Sequence, residues 1–116
     1  MVRTAFLKDH PDVVQHLLEG QVAAVDFMTA NPAEAKTLTN QGITKIAGKG
    51  LAQAVIDAAW GNMTFTVDPI ASSLRSGADH AKDVGLLDAT TKLDGLYDLT
   101  LLNKVLKAEH KPEVHS

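Results

Sequence analysis

Apolar residues recur along most of this chain at the three- and four-residue steps of an amphipathic helix, not at the alternate positions of a strand. The first stripe runs through Val14, Leu17, Leu18, Val25 and Met28. Asp9 before His10-Pro11 predicts its start, with Asp as the cap and Pro in the first turn, and Gly20 weakens its middle by about 1 kcal/mol relative to Ala. Asn31-Pro32-Ala33-Glu34 ends that helix and opens the next. Asn31 can cap, Pro32 fits the first helical position, and Glu34 supplies the acid of a capping box. The second helix is expected from Pro32 to about Ala47, with Gly42 a soft spot, and stops at Gly48-Lys49-Gly50. Leu51, Val55, Ala58 and Ala59 stripe a third, with Trp60 near its end.

The pattern changes at residues 62–67, where Met63, Phe65 and Val67 alternate with Thr64 and Thr66, the period of a short extended segment. Asp68-Pro69 repeats the cap-plus-proline device. Ile70, Leu74, Ala78, Ala81 and Val84 stripe a fourth helix, which Gly85 closes. A Gly/Asp/Thr-rich connection covers roughly 86–97. The last helix, around Leu99–Ala108, carries Leu102, Val105 and Leu106 on one face, with Lys104 and Lys107 where the helix dipole favours cations. Residues 109–116 read as a frayed tail, and Val2–Leu7 is a second extended candidate. The fold class is therefore mainly α, with about five helices and one or two short strands, and two short strands make a marginal sheet at best.

Composition narrows the function classes. The 116 residues suit one domain, and Ala and Leu, both strong helix formers, are abundant. The absence of Cys excludes a disulfide scaffold, a Cys-ligated metal site and thiol catalysis. A net charge of −3 with mixed signs in both halves lacks the basic field that nucleic acid or an anionic membrane requires. No apolar run approaches the ~20 residues needed to span a bilayer. The Met1-Val2-Arg3-Thr4 start has no signal-peptide pattern.

Candidate chemistry is sparse. Among the five histidines only His80, with Asp79 and Asp83, has a spacing near that of a helical metal or acid–base site, and a solvated helix face explains the trio better. Gly48-Lys49-Gly50 lacks the preceding strand and Lys-Ser/Thr pair of a phosphate loop, so it reads as a turn between helices. Asn62-Met63-Thr64 matches a glycosylation sequon of a length that chance supplies. Trp60 at a helix end reads as a core anchor. No nucleophile elbow is present, and neither a catalytic apparatus nor a cofactor or metal site is expected.

The order of the local signals is itself distinctive. Arg3-Thr4-Ala5-Phe6-Leu7 leads into His10-Pro11-Asp12-Val13-Val14; Thr64-Phe65-Thr66 precedes Asp68-Pro69; and Tyr97-Asp98-Leu99 precedes the last helix. In this order and spacing the chain resembles the C-terminal part of solute-binding proteins of ABC importers, of the aliphatic sulfonate, nitrate and taurine type. The resemblance spans almost the whole chain and about the last third of a family member. It implies an α/β receptor of two hinged lobes, held outside the cytoplasm in the periplasm or at a membrane anchor, that delivers a small anionic solute to an ABC permease without chemistry.

Under that resemblance the chain is a single C-terminal segment whose partner is the missing N-terminal portion of the same receptor. Made alone and without a signal, it would stay in the cytoplasm. Arg3 and Thr4, near the crossover between lobes, and Thr64 and Thr66, on the extended segment, are the candidate ligand-binding residues. Helices that normally cover a sheet would leave apolar faces exposed, so self-association of the isolated chain is expected. The alternatives are a free-standing helical protein-interaction module and, weakest, a small hydrolase with His80 in a pocket beside a carboxylate.

Overall fold

The computed structural model describes residues 1–115 and contains six helices among them: α1 (Thr4–Asp9), α2 (Pro11–Ala30), α3 (Pro32–Ala47), α4 (Gln53–Gly61), α5 (Ala71–Asp83) and α6 (Thr100–Ala108). The mainly α class holds. Two compact units share the chain, one made of Met1–Glu19 with the segment from Asp68 onward, the other of Gly20–Val67.

No strand occurs among the described residues, so both extended candidates change character. Val2–Leu7 gives way to α1. Ala5, Leu7 and Lys8 are good helix formers, and with no neighbouring strand to pair with, a helical turn closes the backbone hydrogen bonds locally. Leu7 N–H donates to Arg3 O at 3.0 Å and His10 N–H to Phe6 O at 2.9 Å. Residues 63–66 remain non-helical but join no ladder. Their alternation survives only as exposure: Phe65 and Val67 are half-buried, and Thr64 and Thr66 are exposed.

In the Gly20–Val67 unit, α3 and α4 are tied by a turn and an ion pair. Gly48 adopts φ 75° and its N–H donates to Thr44 O at 2.9 Å, a left-handed helix stop that glycine adopts without a Cβ penalty. Asn40 on α3 then holds the chain beyond the turn. Its Nδ2 donates to Leu51 O at 2.9 Å, and its Oδ1 accepts from Leu51 N–H at 2.8 Å. Gly50 passes so close that a Cβ there would meet Thr44 Oγ1 at 2.6 Å and Asn40 Oδ1 at 3.0 Å. The Gly-Lys-Gly motif is thus a turn between helices, and its second glycine makes room for the asparagine clamp. Lys36 Nζ donates to Asp57 Oδ1 at 2.7 Å between α3 and α4.

The other unit uses the same device. Asn103 on α6 donates from Nδ2 to Val114 O and accepts Val114 N–H on Oδ1, both at 2.9 Å. Val114, in the expected frayed tail, is therefore tied back to α6, and Ser116 lies outside the described residues. The helix ends in a 6→1 bond from Lys111 N–H to Leu106 O at 2.9 Å, with His110 at φ 57° in the position that glycine usually fills. After α5, Gly85 at φ 73° serves this function as its position suggests, and Leu86 N–H donates to Ala81 O at 2.8 Å. Lys104 Nζ donates to Gln15 Oε1 at 2.7 Å, linking α6 to α2.

Two proline-linked starts work differently from their sequence pattern. Asn31 stands before α3 but makes no side-chain cap there; its backbone and side-chain N–H groups donate back to Phe27 O at 2.8 and 3.4 Å, closing α2. Asp68 accepts from Ile70 N–H at 2.7 Å, which curls the chain and leaves Ile70 at φ 53°, so α5 opens one residue later. A left-handed conformation in a β-branched residue is strained.

The core is small. Among the described residues the buried hydrophobic ones are Val14, Val22, Ala35, Ile56, Ala71, Ala78, Leu102, Val105 and Leu106. On α6 they follow the expected face. On α5 the small Ala71 and Ala78 are buried while Ile70, Leu74 and Val84, the large members of the stripe, stay exposed.

Two stability changes follow from these ties. Replacing His110→Gly removes the left-handed penalty and should raise unfolding stability by about 1 kcal/mol, read as a higher urea midpoint. Asn103→Ala deletes both bonds to Val114 and should lower it by about 1–2 kcal/mol, with faster amide exchange at Val114.

Candidate functional site

The four candidate ligand residues are divided between the two units. Arg3 precedes α1 with φ −69° and ψ 138°, and Thr4 opens that helix; both are exposed in the first unit. Thr64 and Thr66 lie exposed on the non-helical stretch of the second. That stretch is anchored by Phe65, whose ring lies 4.7 Å from that of Trp60 at 50°. Trp60, at the end of α4, is half-buried and serves there as an anchor, as its position suggests.

A polar hollow lies in each unit, and neither of these two is lined by the four residues. In the second unit Thr37, Asn40, Gln41, Thr44 and Lys45 of α3 face Gln53 of α4 across an open depression. Several of its polar groups are already engaged. Asn40 clamps Leu51, Thr44 Oγ1 donates to Asn40 O at 2.8 Å, and Gln53 Nε2 donates to Asp57 Oδ1 at 3.3 Å. In the first unit Arg75 of α5 faces Leu93, Asp94, Gly95 and Tyr97 of the following connection. The pattern of helical stripes could not have shown either hollow, because each depends on how a loop returns to a helix.

The titratable groups fit the same picture. His80 and Asp83 are both exposed on α5, and His80 lines neither hollow. Among the described residues no three His, Asp or Glu side chains converge as a metal-binding group. The carboxyls displaced from their ordinary range are all structural. Hydrogen bonds from Lys36 first and Gln53 second hold Asp57 below the usual carboxylate range. Thr90 does the same for Asp88 through its hydroxyl and backbone N–H, at 2.6 and 2.8 Å. Thr100 lowers Asp98, whose Oδ1 accepts Thr100 N–H at 3.0 Å where α6 begins.

These depressed values fix the sign of a pH response. A carboxyl whose folded pKa lies below its unfolded one stabilises the fold above the unfolded value and loses that contribution as pH falls through the folded one. Asp57, Asp88 and Asp98 start from 3.8, so stability from them should be complete near neutrality and decline only below about pH 4. An acid titration of helical circular dichroism checks this, and the Asp98→Asn variant should show a smaller loss. The arrangement offers polar depressions and exposed apolar helix faces. No family model, curated protein or solved structure matches the chain.

Proposed function

We propose that this chain is the C-terminal part of the extracytoplasmic binding component of an ABC importer for aliphatic sulfonates or related small anions such as nitrate and taurine. In this reading it is a helical covering layer, completed by the missing N-terminal portion of the same receptor, which supplies the sheets and most of the cleft. The motif order from Arg3-Thr4 to Tyr97-Asp98-Leu99 supplies the family, and surplus surface supports the need for further polypeptide.

That surplus is the observation that carries the reading. The chain exposes 8652 Å². A compact monomer of 12.4 kDa exposes about 6,100 Å², and two compact bodies of these unit lengths, touching nowhere, about 7,400 Å². Large apolar side chains contribute to it: Leu17 on α2 is 66% exposed, Ile46 on α3 90% and Val55 on α4 52%. Large apolar side chains left in water on several helices mark faces made to be covered.

A free-standing helical interaction module is the second reading. It is favoured by α1, which is helical where the receptor resemblance implies an extended crossover. Both readings keep the apolar faces as binding surface and differ in whether the partner belongs to the same polypeptide.

Titration calorimetry of the isolated chain with an alkanesulfonate, taurine and nitrate should give no heat of binding, since the cleft is incomplete. Tight one-to-one binding would overturn the fragment reading. Sedimentation velocity should show association that grows with concentration. A monomer at every concentration would contradict the claim that the exposed faces need covering.

A further inference from the structure

The connection between α5 and α6 contains three aspartates, Asp88, Asp94 and Asp98, whose environments differ in one decisive way. Asp88 and Asp98 have their carboxylates engaged two residues ahead, by Thr90 and Thr100. Asp94 is exposed and has no hydrogen bond or ion pair. It is followed by Gly95, in the only Asp-Gly or Asn-Gly pair of the sequence. Gly95 is exposed, adopts φ 77°, has open space where a Cβ would stand, and its N–H makes no hydrogen bond. The side chains that share the hollow with Asp94 are Arg75, Leu93 and Tyr97, and none of them ties its carboxylate.

We propose that Asp94-Gly95 is a site of spontaneous covalent modification, at which the backbone isomerises to an isoaspartyl linkage. The Gly95 nitrogen attacks the side-chain carboxyl carbon of Asp94. A C–N bond forms there, the carboxyl C–O bond breaks, and the hydroxyl leaves with the amide proton as water. The product is a cyclic succinimide. Water then adds to one of its two carbonyls and breaks that carbonyl's bond to nitrogen. Opening at the side-chain carbonyl restores Asp94. Opening at the backbone carbonyl routes the main chain through the side-chain methylene and leaves a free α-carboxylate. One water is lost and one regained, so neither composition nor mass changes.

Each structural feature bears on a step. Glycine presents no side chain against the attacking nitrogen and gives the turn its backbone freedom. The unbonded N–H and the untied carboxyl need no hydrogen bond broken before they meet. At Asp88 and Asp98 the bonds to threonine hold the carboxyl away, keep it ionised and therefore poor at losing hydroxyl, and the next residues are Ala89 and Leu99. At Asp68 the next residue is Pro69, which has no N–H. Isomerisation at Asp94 inserts a methylene into the main chain just before Tyr97 and the Asp98 start of α6, altering the hollow that Arg75 lines.

The test uses the full chain, aged at physiological temperature and neutral pH and then cleaved with trypsin, which releases residues 93–104 as one peptide. That peptide, aged free in the same buffer, is the reference. A second species of equal mass and different retention should accumulate from the folded protein, accept a methyl group from an isoaspartyl methyltransferase, and map to residue 94 alone. Asp94→Glu, whose longer side chain disfavours the ring, should abolish it, while circular dichroism reports that the variant folds. Absence of the isomer at 94 in the folded chain overturns the proposal, whether or not the free peptide forms it. So does isomerisation at Asp88 or Asp98 to the same extent.

Discussion

An amphipathic helix is stable only when its apolar stripe leaves water, and that constraint governs this molecule. At roughly 25 cal/mol per Å², burial has to offset the backbone entropy of every ordered residue. Here the fully buried side chains are few and mostly small or of medium size, while Leu17, Ile46 and Leu86 remain in solvent. Large apolar side chains on α2, α3 and α4 stand exposed in this chain.

Polar ties hold the chain where it leaves α3 and α6. Asn40 and Asn103 each use both ends of an amide to hold backbone eleven residues ahead, as a strand partner would. These clamps fix the course of the chain after α3 and after α6 without needing a large core. They also explain why Gly50 is confined to glycine-sized space, and why residues that leave α6 return to it. The helix ends follow the same economy, with left-handed stops at Gly48, Gly85 and His110 that satisfy carbonyls locally.

Helical periodicity made most of the fold legible. The ends of α3 at Pro32 and Ala47 and the stop at Gly85 follow from local chemistry, and local chemistry is what a sequence displays. Val2–Leu7, an extended candidate in the sequence, has no strand to pair with among the described residues. Without that partner, Thr4–Asp9 closes its own hydrogen bonds as helix. Asn31 and Asp68 have the residue types of caps, yet each bonds a neighbour that pattern alone does not choose. The candidate ligand residues Arg3, Thr4, Thr64 and Thr66 came from a family resemblance, and the structure places them on exposed segments of two separate units. The asparagine clamps had no sequence signal beyond a polar residue in a helix, since their partners are set by loop length and return path.

In the proposed reading, the exposed helix faces are completed by further polypeptide of the same receptor. The intact mass of the protein purified from its own cells tests this most directly. The account predicts a polypeptide well above 12.4 kDa that contains this sequence at its C-terminal end. A native species of 12.4 kDa that remains monomeric would contradict it.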